Sequence, residues 1–136
     1  MRTLVLILCL TVIFACKENP KEEATSQMEQ VMMIHDEVMP KMGKLSKLVA
    51  ELKTKVDTTA KGKKYELAMK ELQDSHKSMM HWMQGFGDRF DSDEILNGKA
   101  LSPQKKEWLN EEEEKVNALK DQINSSIENA EALLNH

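Results

Sequence analysis

Three stretches of the chain repeat apolar residues at alternating steps of three and four. They cover residues 28–56, 65–90 and 109–133. This spacing places apolar side chains on one face of an α-helix, as a stripe that packs against partner helices. The pattern therefore predicts an all-α protein with helices at about residues 24–56, 63–86 and 103–134.

Each predicted stripe also contains polar residues that need partners if they are buried. The first stripe consists of Met28, Val31, His35, Val38, Met42, Leu45, Val49, Leu52 and Val56. The second consists of Tyr65, Met69, Leu72, His76, Met79, Met83, Phe86 and Phe90. The third consists of Leu109, Val116, Leu119, Ile123, Ala130 and Leu133, with Glu112 and Ser126 where apolar residues are expected.

The segments between the stripes predict how the helices connect. Residues 57–62 form a turn, so the first two helices should pack as a long antiparallel hairpin. Residues 85–100 form a longer connection whose acidic residues do not have the spacing of a calcium-binding loop. Ser102 and Pro103 have the preferences of an N-cap and a first helical position. The predicted architecture is a hairpin plus a third helix, an elongated three-helix bundle or coiled coil.

Pro40 lies inside the first stripe, where it removes a backbone donor and disfavours helix at the preceding residue. The stripe crosses the proline without a change of register. This favours a kink in one long helix, with a boundary between two helices as the alternative.

The amino-terminal residues have the pattern of an export signal. Arg2 precedes an apolar run at residues 3–14, which is shorter than the ~20 residues needed to span a bilayer. The run ends at Ala15 and Cys16, and a polar segment follows. This resembles a bacterial lipobox, in which cleavage leaves a cysteine that carries lipid; an ordinary secretory signal is the alternative. We predict a signal peptide at 1–15, a lipidated Cys16 and polar tether at 16–25, and a helical domain at 26–136.

Charge and cysteine content agree with an exported, membrane-attached protein. The formal net charge of −4 speaks against nucleic acid as a partner. Cys9 lies in the predicted signal, so the mature chain has no cysteine pair for a disulfide. The expected location is the bacterial cell envelope, as an outer-membrane lipoprotein on the periplasmic face or the cell surface.

Methionine and histidine are the unusual chemistry of the chain. All methionines after the first residue lie between Met28 and Met83. Thioether and imidazole groups together suit Cu(I). Antiparallel pairing places His35 near Met83 and His76 near Met42, which would form two sites. The candidate metal ligands are His35, His76, Met32, Met39, Met42, Met79, Met80 and Met83. The alternative is that methionine fills gaps in a core poor in aromatic residues, or binds a partner.

The chain contains no glycine-rich phosphate loop, no nucleophile elbow, no zinc-protease motif and no haem attachment motif. We therefore expect no catalytic activity and no cofactor, with copper as the alternative.

Two segments carry a resemblance to a known family. They are residues 35–43 (HDEVMPKMG) and residues 78–83 (SMMHWM). Together with the lipobox, they resemble small helical lipoproteins of Bacteroidetes, especially flavobacteria, that are labelled "viral A-type inclusion protein". That label reflects coiled-coil similarity and implies no activity, catalytic residue or ligand.

Two function classes therefore stay open. One is a lipid-anchored interaction or structural module with a protein partner or a second copy of itself. The other is an envelope protein that binds a soft metal.

Overall fold

The computed structural model describes the backbone of residues 20–135 and the side chains of residues 26–135. Five helices occur in this part of the chain: α1 (Pro20–Val38), α2 (Lys41–Lys53), α3 (Ala60–Arg89), α4 (Ser92–Leu96) and α5 (Pro103–Leu134). No strand occurs between residues 20 and 135. The predicted all-α bundle is confirmed. In the same range, none of the helices combines the length and apolar character needed to cross a bilayer.

Helices α1 and α2 run in one direction, α3 runs in the opposite direction, and α5 runs in the same direction as α1 and α2. Glu37 pairs with Lys120 and Lys41 with Asn124, so α1 and α2 run parallel to α5. Ser75 pairs with Ser126, whereas Arg89, later in the chain, pairs with the earlier Glu112; α3 is therefore antiparallel to α5. In the hairpin, α2 packs on α3, and α1 packs mainly on α5. The start of α1 and helix α4 consequently lie at one end of the bundle, and the α2–α3 turn lies at the other.

The prediction of one continuous helix at 24–56 is wrong at Pro40. Helix α1 ends at Val38, and α2 begins at Lys41. Pro40 itself has helical angles, φ −60° and ψ −24°, and the Met39 N–H still donates to the His35 carbonyl at 2.9 Å. The missing proline donor therefore opens a short turn without changing the register, and Val38 and Met42 are both buried.

Other boundaries also differ from the predicted ones. Helix α1 begins at Pro20, inside the segment predicted as a polar tether, and α3 spans Ala60–Arg89 instead of 63–86. The short helix α4 was not predicted. Asp91 is its N-cap, and Glu94 completes a capping box with it. Lys105 of α5 donates to the buried Glu94 carboxylate at 2.6 Å, which fastens α4 to the bundle.

The apolar stripe of α3 is rotated from its predicted position. The buried residues of α3 are Gly62, Tyr65, Ala68, Leu72, Ser75, Met79, Trp82 and Phe86. Met69 and His76 are only half-buried, and Met83 is 37% exposed. The small side chains of Ala68 and Ser75 let α5 approach closely, and the Ser75 hydroxyl donates to Ser126 at 3.0 Å. Packing against α5 as well as α2 therefore turns α3 away from the face that its methionines predict.

Candidate functional site

The predicted lipid site, Cys16, lies outside the described residues. Helix α1 begins at Pro20. Residues 17–19 are thus the whole segment between that cysteine and the first helix.

His35 packs as an aromatic ring on the inner side of α1. Its side chain is 15% exposed, and its Nδ1 lies 2.9 Å from a carboxylate oxygen of Asp36. The centroid of the imidazole lies 5.9 Å from that of Trp82. The Trp82 ring also lies next to that of Phe86, and the Phe86 ring lies next to that of Phe90, so the aromatic side chains form a row. The sequence predicts that His35 lies near Met83. In the structure, the ring next to His35 is that of Trp82, one residue before Met83.

His76 lies on α3 beside a different helix. It is half-buried and lines a groove of about 320 Å³ with Leu45, Ser46 and Val49 of α2. These α2 residues follow Met42, the predicted neighbour, by about one helical turn or more. His35 and His76 therefore have different surroundings.

The candidate methionine ligands divide into core and surface residues. Met79 is fully buried and Met42 is 9% exposed, while Met32 and Met39 are half-buried against the core. Met80 and Met83 are 40% and 37% exposed. Because positions 76, 80 and 83 are separated by four and three residues, His76 and these two methionines share one face of α3.

The described residues do not form a conventional metal site from histidine, cysteine and carboxylate side chains. Among residues 26–135, no group of three or more His, Cys, Asp or Glu side chains is placed to hold a metal ion. The thioethers of Met80 and Met83 are ligands of the kind that select soft ions such as Cu(I).

A cleft of about 470 Å³ lies between α3 and α5, on a side of the bundle to which the sequence prediction assigned no function. Helix α3 contributes Ser78, His81, Trp82 and Gly85 to its wall, and α5 contributes Leu119 and Gln122. Trp82 is 8% exposed. Its Nε1 is buried and has no hydrogen-bond partner in the described part of the chain.

A buried carboxylate also lines this cleft. The Glu112 side chain is 4% exposed, and one of its oxygens lies 2.9 Å from Arg89 Nη1 and 2.8 Å from Lys115 Nζ. These two cations stabilise the charge of Glu112, which would otherwise be costly to bury.

Arg89 continues this charge network outside the cleft. Its Nη1 also donates to the exposed Glu111, and this hydrogen bond lowers the pKa of the Glu111 carboxyl. The guanidinium carbon lies 5.2 Å from the centroid of Trp108. Arg89 is thereby held in place by two carboxylates and an aromatic ring.

The sequence contained a partial signal for this cleft. Glu112 interrupts the third apolar stripe, which marks a buried carboxylate in need of cations. Nothing in the periodicity placed Arg89 or Trp82 beside it, because those residues lie on another helix.

Comparison with protein-family models, with curated proteins and with solved structures finds no match for the chain.

Proposed function

We propose that this protein is a lipid-anchored helical interaction module of the bacterial cell envelope, without catalytic activity. The observation that carries this proposal is the abrupt change at Cys16 from an apolar run to a polar segment, followed by a helical body that begins at Pro20. A cysteine at that position, once lipidated, would attach the bundle to a membrane. Acylation by more than one chain would make the attachment stable.

The early start of α1 gives this anchor a short reach. Cys16 and Pro20 are four Cα–Cα steps apart, which span at most about 14 Å, so the start of α1 and helix α4 would be held close to the bilayer. The opposite end, with the α2–α3 turn, would face away from it. Leu67, which is 61% exposed, lines a groove of about 420 Å³ there with Ala132 and Leu133. Exposed apolar surface of this kind supports contact with a protein partner or a second copy of the chain.

Metabolic labelling with an alkyne fatty acid tests the anchor. The full chain, expressed in a bacterium with an outer membrane, is expected to incorporate the label, and Cys16→Ser is expected to abolish it. Cys9→Ser is the matched control, because this second cysteine lies inside the predicted signal peptide and should leave labelling unchanged. An unlabelled wild-type chain, or a label that persists in Cys16→Ser, would contradict the proposal and favour an ordinary secretory signal.

A second candidate function is binding of a soft metal such as Cu(I). The rotation of α3 favours it, because His76 and Met83 lie beside the core instead of within it. Together with Met80 they present an imidazole and two thioethers on one partly exposed face. His35 is a weaker candidate than His76, because Asp36 and Trp82 already occupy its surroundings.

A competition titration against a Cu(I) chelator tests this second function. Residues 17–136 contain every helix of the described bundle and are suitable for the measurement. We expect Met80→Leu or His76→Ala to weaken binding about tenfold, which corresponds to about 1.4 kcal/mol. Met79→Leu is the control, since Met79 is fully buried. Absence of competition by the wild type would eliminate this function.

A further inference from the structure

We propose that the groove between α3 and α5 at Leu67 pairs two copies of this chain, with their α3 helices antiparallel. The groove has a volume of about 420 Å³ and lies at the end of the bundle that carries the α2–α3 turn. This pairing names the partner of the proposed interaction function and therefore rests on that function. It does not need the lipid anchor, because every residue of the groove belongs to the helical body.

The groove combines an exposed leucine with a hollow that a leucine can fill. Leu67 is 61% exposed, although it lies within a long helix, and its neighbour Ala68 is 3% exposed. On α5, Ala132 is exposed and Leu133 is half-buried, and both line the groove. The small side chains of Ala68 and Ala132 leave space between the two helices. Leu67 of one copy can therefore enter the hollow of another, as a knob enters a hole in helix packing.

Opposite charges flank Leu67 along α3. Lys64 precedes it by three residues and Glu71 follows it by four, so the three side chains share one face of the helix. Lys64 and Glu71 are exposed, and both line the groove. Neither side chain has an ion-pair partner in the described part of the chain. Both charges are therefore available to a partner that docks on Leu67.

Twofold symmetry makes this face complementary to itself. If the axis passes between residues 67 and 68, Lys64 of each copy faces Glu71 of the other. Leu67 of each copy then lies over Ala68 of the other. A parallel pair would instead place Lys64 against Lys64 and Glu71 against Glu71, and like charges oppose such a pair. The arrangement of charges therefore selects a second copy of the chain in the antiparallel orientation.

The antiparallel pair overlaps only at the ends of the bundles that lie away from the predicted anchor. Residues 60–75 of the two α3 helices would lie side by side, over about 22 Å. The remainder of each bundle, including helix α4, would point away from the other copy. Lipidated copies would therefore pair from facing membranes, and not as neighbours that stand on the same membrane.

Analytical ultracentrifugation of residues 17–136 tests the pair. So short an overlap is typical of a weak association, and we expect a reversible dimer with a dissociation constant in the micromolar to millimolar range. Lys64→Glu and Glu71→Lys should each weaken the dimer about tenfold, because each replaces two attractive contacts by two repulsive ones. An equimolar mixture of these two variants should regain the dimer, because every contact between unlike copies again joins opposite charges. Positions 64 and 71 are two helical turns apart, so this recovery could not arise within one chain.

Control substitutions separate the groove from the rest of the surface. Lys77→Glu changes the net charge equally, but Lys77 is exposed beyond the overlap and outside the groove, so the dissociation constant should not change. Leu67→Ser should abolish detectable dimer, whereas Leu96→Ser, at a residue that is 75% exposed outside the groove, should not. Circular dichroism checks that each variant is folded.

Two results would overturn the proposal and leave the groove to a different protein. One is a wild-type chain that stays monomeric at millimolar concentration, and the other is a mixture of the two charge variants that does not regain the dimer. Neither result would change fatty-acid labelling at Cys16, so the pairing and the lipid anchor can fail separately.

Discussion

Replacement of Trp82 by alanine is expected to lower the free energy of unfolding by about 3–5 kcal/mol. The Trp82 side chain is 8% exposed, and its ring centroid lies 5.0 Å from that of Phe86 and 5.9 Å from that of His35. Alanine would remove these contacts and leave a cavity where α1, α3 and α5 meet. Urea denaturation of residues 17–136, followed by circular dichroism, measures the loss.

The adjacent residue provides the control for this experiment. Met83 belongs to the stripe predicted from the sequence, but it is 37% exposed in the bundle. Met83→Ala is therefore expected to cost about 1 kcal/mol or less. If Met83→Ala cost as much as Trp82→Ala, the face of α3 assigned here to the core would be wrong. Trp82→Phe should cost less than Trp82→Ala, because it retains a ring and removes the unpaired donor.

Replacement of Gly62 by alanine is expected to destabilise the protein by about 1–3 kcal/mol, the usual cost of overpacking. Gly62 lies in the first turn of α3 and is buried against the α2–α3 turn. A Cβ atom there would lie 2.6 Å from the backbone nitrogen of Asp57 and would also collide with its carboxylate. Thr59 accepts a hydrogen bond from the Gly62 N–H and donates its own N–H to Asp57, which holds the turn against the glycine.

Gly87→Ala is the matched substitution, and its effect should have the opposite sign. Gly87 is exposed inside the same helix, and a Cβ atom there would meet nothing within 4 Å. Alanine is a better helix former than glycine, so this variant should gain about 0.5–1 kcal/mol. Both values can be measured by urea denaturation. A stabilising effect of Gly62→Ala would show that the turn does not pack against α3 as described.

Residue type and spacing predict which candidate metal ligands share a helix face. Imidazole and thioether groups at steps of three or four residues indicate His76, Met80 and Met83 as candidates on one face of α3, because this spacing is enough to place side chains on one face. Their exposure was not predictable, because it depends on which neighbouring helix covers that face. The cleft at Trp82 was missed for the same reason: α3 and α5 form it together from residues far apart in the chain.

The capping box of α4 is a local signal that could have been read from the sequence. Asp91 is followed three residues later by Glu94, which is the spacing of a capping box. The connection predicted at residues 85–100 includes this acidic stretch but no helix. A contribution from α5 completes the arrangement, since Lys105 contacts the buried Glu94 carboxylate.

The sequence by itself determined the all-α class and the approximate extent of the helical regions, because helical periodicity and capping are local properties. Only the tertiary structure decided which face of α3 is buried. At positions 68 and 69, 75 and 76, and 82 and 83, each neighbouring pair offers a possible core residue. Hydrophobicity favours Met69 over Ala68 at the first pair, but α5 can approach α3 closely only over small side chains. Packing between helices, a property of the whole bundle, therefore placed Trp82 inside and Met83 at the surface.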